Sequence, residues 1–147
     1  MNIEKNPINR DKYLDLLLIA DEQIEMLQKY MYQGDLFVFS KMDIIGVCIV
    51  LPIDKVTCEL KNISIATPYQ KQGYGKKIIS YLLDYYKNTY SFMIVGTGAN
   101  TSTVSFYKSC GFKESHLIKD FFIKNYNHPM FENNIQLKDM QYLKRSL

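Results

Sequence analysis

Between Asn9 and Gln33 the apolar residues Leu14, Leu17, Leu18, Ile24, Leu27 and Met31 recur at three- and four-residue spacing, which gathers them on one helical face. Gly34 marks the end of that pattern. Asp21 is placed to cap a second segment, so two shorter helices with a bend fit nearly as well as one. The pattern then changes character. Leu36 to Ser40, Ile44 to Ile53 and Val56 to Ala66 are rich in β-branched and aromatic residues, with turns at Met42-Asp43 and Pro52 to Lys55, and predict an antiparallel meander.

Helical spacing returns after Pro68, where Ile78, Ile79, Leu82, Leu83 and Tyr86 form a single stripe preceded by Gly73 and Gly75. This is a strand, a glycine loop and a helix. Phe92 to Val95 reads as a short buried strand. Asn100 is placed as the N-cap of a helix through Lys108, and Gly111 falls where a left-handed C-terminal residue belongs. Phe112 to Ile118 and Ile135 to Leu143 are the remaining strands. Between them Lys119 to Asn134 is a long connection holding Phe121, Phe122, Tyr126 and His128, with a helical turn expected inside it. No repeat, low-complexity tract or Gly/Ser linker divides the chain, and a single domain over residues 1–147 is expected.

Composition narrows the function classes. Apolar residues at 47% and charged residues at 22% are those of a self-folding globule. A net charge of +3 with only two arginines, Arg10 and Arg145, is too weak and unclustered for a nucleic-acid reader. Cys48, Cys58 and Cys110 are odd in number and lack CxxC spacing, and only His116 and His128 are available to join them, so neither a disulfide framework nor a metal site is expected. Met1 to Arg10 is polar, and no apolar run approaches the length of a membrane span, so neither export nor a membrane partner is expected and the expected location is cytoplasmic.

The segment Gln70-Lys71-Gln72-Gly73-Tyr74-Gly75-Lys76 lies between strand and helix, where the first helical N–H groups have no internal partners. Glycines allow close approach of the backbone, the helix dipole adds partial positive charge, and Lys71, Lys76 and Lys77 add full charges. An anion fits there; taken alone, the two glycines would equally well make only a tight turn. Neither GxxxxGK[ST] nor GxGxxG is present.

Gln70-x-x-Gly73-x-Gly75 after the strand Glu59 to Ile65, together with Asn100 followed by Tyr107-x-x-x-Gly111-Phe112, resembles the GNAT superfamily of N-acetyltransferases. The resemblance covers about Leu36 to Ser115. It implies an α/β (α+β) fold with a mixed, strongly twisted central sheet of about six to seven strands flanked by about four helices. It also implies acetyl-CoA as cosubstrate, without a metal. The pantetheine would meet the backbone of Ile63, Ser64 and Ile65, and the pyrophosphate the N–H groups of Lys71, Gln72, Gly73, Tyr74, Gly75 and Lys76 behind Gln70. Asn100 would approach the pantetheine amide and Tyr107 the thioester sulfur.

An alkylammonium with a pKa near 10.4 costs roughly 4.6 kcal/mol to deprotonate at neutral pH, so the reaction needs a base or a water relay. The resemblance points to Glu59, directly or through an ordered water; a strand-edge carboxylate or substrate anchor is the plain alternative. Relatives that act on protein N-termini carry a base five residues before the Asn, where this chain has Val95. Tyr107 would hydrogen-bond the departing thiolate, with a proton-transfer mismatch of about 2 kcal/mol against a full transfer. Direct attack needs no covalent intermediate, so Cys110 is not assigned as a nucleophile and reads as a packed helix end. The expected function is N-acetylation of a small primary amine. A protein N-terminus or lysine as acceptor, and a non-catalytic acyl-CoA-binding module, are the alternatives. A monomer or a homodimer paired through the final strand is expected.

Overall fold

The computed structural model describes residues 1–147. Its first element is β1 (Asn2–Lys5), exposed along its whole length and hydrogen-bonded to β2 (Asp35–Ser40). Four exposed residues offer no apolar pattern, which is why the polar N-terminus gives no sign of a strand. The segment expected to be helical is broken into a 3-10 turn at Arg10–Tyr13, α1 (Leu14–Leu17) and α2 (Ile24–Gln28). The bent alternative is therefore the right one, but Asp21 is not the cap. Gln23 occupies that position without a side-chain bond, and Asp21 instead accepts from the phenols of Tyr30 and Tyr126, both at 3.0 Å. Arg10 closes the end of this region by donating to the carbonyls of Met31, Gln33 and Gly34.

The meander is β2, β3 (Ile44–Pro52) and β4 (Thr57–Ile65), antiparallel as expected. Successive side chains along a strand point to opposite faces. Leu36, Val38, Val47 and Ile49 accordingly face α1 and α2, packing with Leu17, Leu27 and Met31. Phe37, Phe39, Cys48 and Val50 face the other way, onto Ile78, Ile79, Leu82 and Tyr86 of α3 (Tyr74–Tyr86). Both faces are covered, so the strands read as continuous apolar runs.

After α3 the chain returns as β5 (Phe92–Gly98), α4 (Ser102–Ser109) and β6 (Lys113–Ile118). The N-cap of α4 is Thr101, one residue later than expected, because Asn100 turns the chain with φ +62. Gly111 has φ +91, the left-handed conformation its place after the helix predicts. The long connection contains a helical turn, α5 (Phe121–Asn125), followed by the hairpin β7 (Met130–Glu132) and β8 (Ile135–Leu137). The strand expected over Ile135 to Leu143 is thus two strands in two sheets. Its second half belongs to β9 (Met140–Ser146), and the break is held by bonds from Phe122 N to the Lys138 carbonyl and from Asp120 N to Asp139 Oδ1.

The main sheet is mixed and seven-stranded, in the order β1-β2-β3-β4-β5-β9-β6. The final strand lies between β5 and β6 with both edges paired, so it is not open for pairing across a dimer; the sheet's edges are β1 and β6. No helix is long and apolar enough to cross a membrane.

Candidate active site

The one parallel pairing in the sheet is brief. β4 and β5 are in register at Thr57↔Phe92, Cys58↔Met93 and Glu59↔Ile94, and no farther. Beyond that point β4 pairs only with β3, and β5 only with β9, so the two central strands part with Glu59 at the vertex. A bulge lies just past the vertex. Ile49 faces Asn62 and Val50 faces Leu60, which leaves Lys61 without an opposite residue. One extra residue reverses the alternation. Asn62 and Ser64 therefore point to the α1 face, where both bond the Leu17 carbonyl, while Ile63 and Ile65 turn to the α3 side with Leu60.

On the α3 side the parted strands open into a cleft of about 420 Å³. Ile63 and Ile65 form its floor, the loop residues Gln70, Lys71 and Gly73 its rim, and Phe106 and Tyr107 of α4 its far wall. Gly73 is the N-cap of α3 with φ +87, a conformation that costs a side-chain-bearing residue about 1–2 kcal/mol. It aims the free N–H groups of the first turn of α3 at the cleft rim. Lys71 takes the same left-handed conformation at φ +61.

On the opposite face lies a second cavity, about 370 Å³, enclosed by β4, β5, α2, α5 and the β7–β8 hairpin. Glu59 lines it and accepts from Tyr142 Oη at 3.4 Å, with Lys61 Nζ 3.9 Å away. Gly96 makes room for this arrangement, since a Cβ there would sit 3.0 Å from the Tyr142 ring and 2.9 Å from Met140 Sδ. Glu132 Oε2, a buried oxygen without a partner, belongs to a residue that lines the same cavity. The bonds from Tyr126 Oη to Asp21 and from Asn127 N to Gln23 Oε1 tie the segment after α5 to the α1–α2 connection across it.

Comparison with known proteins shows the family of the chain that carries these two sites. Residues 8–112 match the family model described as acetyltransferase (GNAT) family. The chain belongs to the GNAT acetyltransferase family. It is 31% identical over 143 residues to an uncharacterized N-acetyltransferase, YvbK, of Bacillus subtilis, covering 95% of this chain and 92% of that one. Among solved structures it resembles a GNAT family acetyltransferase from Elizabethkingia anophelis with acetyl-CoA bound, at TM-score 0.92 and 33% identity, over 99% and 97% of the two chains. It likewise resembles a Bacillus subtilis acetyltransferase in complex with CoA, at TM-score 0.88 and 30% identity, over 99% and 98%.

In this GNAT acetyltransferase the residues expected from sequence divide unevenly. Ile63, Ile65, Gln70, Lys71, Gly73, Tyr74, Gly75, Lys76 and Tyr107 all line the one cleft. Ser64, Gln72 and Asn100 do not. The Ser64 side chain turns to Asn62 Oδ1 at 2.8 Å, so only its backbone is left to address the α3 side. Gln72 bonds the Pro68 carbonyl, and Asn100 is exposed in the turn before α4. Glu59 is alone on the second cavity. Tyr142, Tyr30, Gly96, Thr97 and Glu132 join it there, and Thr103 and Phe106 join the cleft, without having been singled out. The aromatic content of Lys119 to Asn134 was the signal available, and it is upheld in Phe121, Phe122 and Tyr126, which line the cavity. His116 is exposed and stacks on Tyr142 at 4.7 Å, and His128 is exposed beside Asn127.

Burial shapes the acid–base character. It raises the Glu59 pKa, against the opposing pull of Lys61 and of the Tyr142 hydrogen bond. Burial, with the charge of Glu59, pushes Tyr142 up to about 12, so this phenol keeps its proton and donates it to the carboxylate. Tyr107, packed between Phe106 and Phe112, is raised by burial and then by Cys110 and Glu132, which makes it a firmer holder of its proton than an ordinary phenol. The three cysteines are free, and burial pushes Cys58 up to about 12, far from a reactive thiolate.

Proposed function

We propose that residues 1–147 act as one unit that moves the acetyl group of acetyl-CoA to a primary amine of a small molecule, by direct attack in a ternary complex. The observation that carries this reading is the parting of β4 and β5 at Glu59, with an anion-ready cleft on one face and a carboxylate-lined cavity on the other. Thr97, which lines the one, and Thr103, which lines the other, touch through their hydroxyls at 2.6 Å, which supports seating the two reactants close to one another.

When bound, acetyl-CoA supplies an activated acyl carbon on a thiol leaving group. The cleft's backbone amides and Lys71 and Lys76 hold its diphosphate, and Ile63 and Ile65 present the strand to its pantetheine. Glu59, its pKa raised toward the working range, takes a proton from the bound ammonium, directly or through a water. The freed nitrogen lone pair would attack the acyl carbon, the carbon–sulfur bond would break as the nitrogen's surplus proton passes to the departing sulfur, and Glu59 would then return the first proton to solvent. Tyr107 donates a hydrogen bond to the thiolate and, holding its own proton firmly, stabilises it instead of surrendering that proton.

A small acceptor is favoured over a protein terminus because the second cavity is roofed by α5 and the hairpin and tied across by Tyr126 and Asn127. The unpartnered Glu132 oxygen suits a cationic acceptor. The test pairs a thermal shift with thiol release. Saturating acetyl-CoA, at about 100 times its Kd, should stabilise the fold by about 2.7 kcal/mol. Small primary amines should then release CoA faster than peptides bearing free N-termini or lysines. No thermal shift, or a preference for peptides, would overturn the reading.

A further inference from the structure

Lys61, the extra residue of the β4 bulge, brings a positive charge into the cavity of Glu59. Cys58 and Leu60 face α3 as part of the larger core, whereas Glu59 turns away from them and lines the cavity. The Lys61 ammonium lies on that same face. It is 3.9 Å from Glu59 Oε2 and 5.4 Å above the ring of Tyr30, a buried residue packed with α1 and α2. All three residues line the cavity.

Neither neighbour satisfies that ammonium, which carries three protons to donate. At 3.9 Å the Glu59 carboxylate is beyond hydrogen-bonding distance, and its own bond comes from Tyr142. The Lys61 side chain is 28% exposed, so water reaches it only in part. Lys29 lies beside Tyr30 at the end of α2, lines the same cavity, and rests its ammonium on Met26 Sδ at 3.5 Å, a weak acceptor. Asp21 relieves neither lysine. Its two oxygens accept from the phenols of Tyr30 and Tyr126.

A carboxylate beside an unsatisfied ammonium is the charge pattern of a zwitterion in reverse. An α-amino acid carries its ammonium and its carboxylate on one carbon, so an amine at Glu59 brings the carboxylate within reach of Lys61. A plain monoamine would set its cation beside Lys61 with no anion between them. We propose that the acceptor is an α-amino acid with an apolar side chain, its amine at Glu59 and its carboxylate on Lys61, with Lys29 adding charge at the rim. The proposal rests on the small-amine reading above and narrows it. Phe122, Leu137 and Met140 give the same cavity an apolar wall for the side chain. The nitrogen–carbon bond forms as the carbon–sulfur bond breaks. One ammonium proton leaves through Glu59, the second goes to the CoA sulfur, and the product is the N-acetyl amino acid.

The test measures thiol release with leucine, leucinamide and 3-methylbutylamine, and with phenylalanine and phenethylamine, sets that share a side chain and differ in the carboxylate. The wild type should prefer each acid over its decarboxylated amine by about 30-fold in kcat/KM, the order of one charge-assisted hydrogen bond, mainly through KM. Leucinamide keeps the bulk without the charge and should rank with the amine. In K61M the preference should fall to about threefold or less, and K61R should keep most of it. Equal use of leucine and leucinamide, a preference for the plain amines, or an unchanged preference in K61M overturns the proposal. So does a preference for 1,5-diaminopentane over leucine, which would assign the second charge to Glu132 instead. If K61M does not fold, the wild-type ranking decides. An enzyme that acetylates no small amine, amino acids included, brings down the acceptor reading and this proposal with it. Turnover of plain amines without a preference for the acids brings down this proposal alone.

Discussion

The two sites on either side of Glu59 are built by different means. The cleft proposed for the cofactor is made largely from one contiguous stretch, the end of β4, the loop from Gln70 to Lys76 and the start of α3, and the recognition groups proposed for it are chiefly backbone amides. The proposed acceptor cavity is lined by residues of α2, β4, β5, α5, the hairpin and β9, up to 122 positions apart between Ala20 and Tyr142. A ligand common to a whole family can be held by main chain, which any sequence supplies once the turn is right. A ligand particular to one enzyme has to be held by side chains, and these arrive from wherever the fold brings them.

Three substitutions sharpen that contrast. Glu59→Gln should have the largest effect, lowering kcat by about 100-fold and flattening the alkaline rise of kcat/KM, while the acetyl-CoA thermal shift is kept. The sign in stability is opposite. Because the folded carboxyl has a raised pKa, the fold binds its proton more tightly than the unfolded chain does. That contribution is full below the unfolded value near 4.3 and is lost as pH rises through the folded value. Thermal melts across pH should therefore show the wild type losing stability in that window and Glu59→Gln not doing so.

Tyr107→Phe comes next, expected to lower kcat by about tenfold with a retained acetyl-CoA shift. Since Tyr107 holds its proton firmly, its removal should not move the midpoints of the pH profile, and a moved midpoint would make it a true acid. The smallest effect is expected from Tyr126→Phe, which removes one bond across the acceptor cavity at a cost of about 1 kcal/mol. It should raise the amine KM several-fold and leave acetyl-CoA binding untouched. Should it weaken acetyl-CoA instead, the two sites would not be separable in the way their construction suggests.

The same division explains what could be read from the chain in advance. The strand, loop and helix around Gly73 and Gly75 and the left-handed Gly111 follow from local rules of backbone conformation, and each is found where expected. Over Asn9 to Gln33 one helix and two with a bend could not be told apart from the pattern, because Leu17 and Leu27 face the same side of the sheet and apolar spacing continues across a turn it cannot register. Ile135 to Leu143 looked like one strand because its break at Lys138 and Asp139 is held by bonds to Phe122, Asp120 and Ala99, partners remote in sequence. Asp21 looked like a helix cap for want of any sign that Tyr126, 105 positions away, would claim its carboxylate.

The unpaired Lys61 has a consequence for how this enzyme can change over time. Up to that residue β4 shows its odd positions to the Glu59 cavity, and after it the odd positions face the cleft beside α3. The phase of the strand, and with it the address of both substrates, depends on a count of residues and not on their identity. Point changes around the cavity are free to explore new acceptors, whereas loss of one position at the bulge would exchange the two faces of everything downstream in β4.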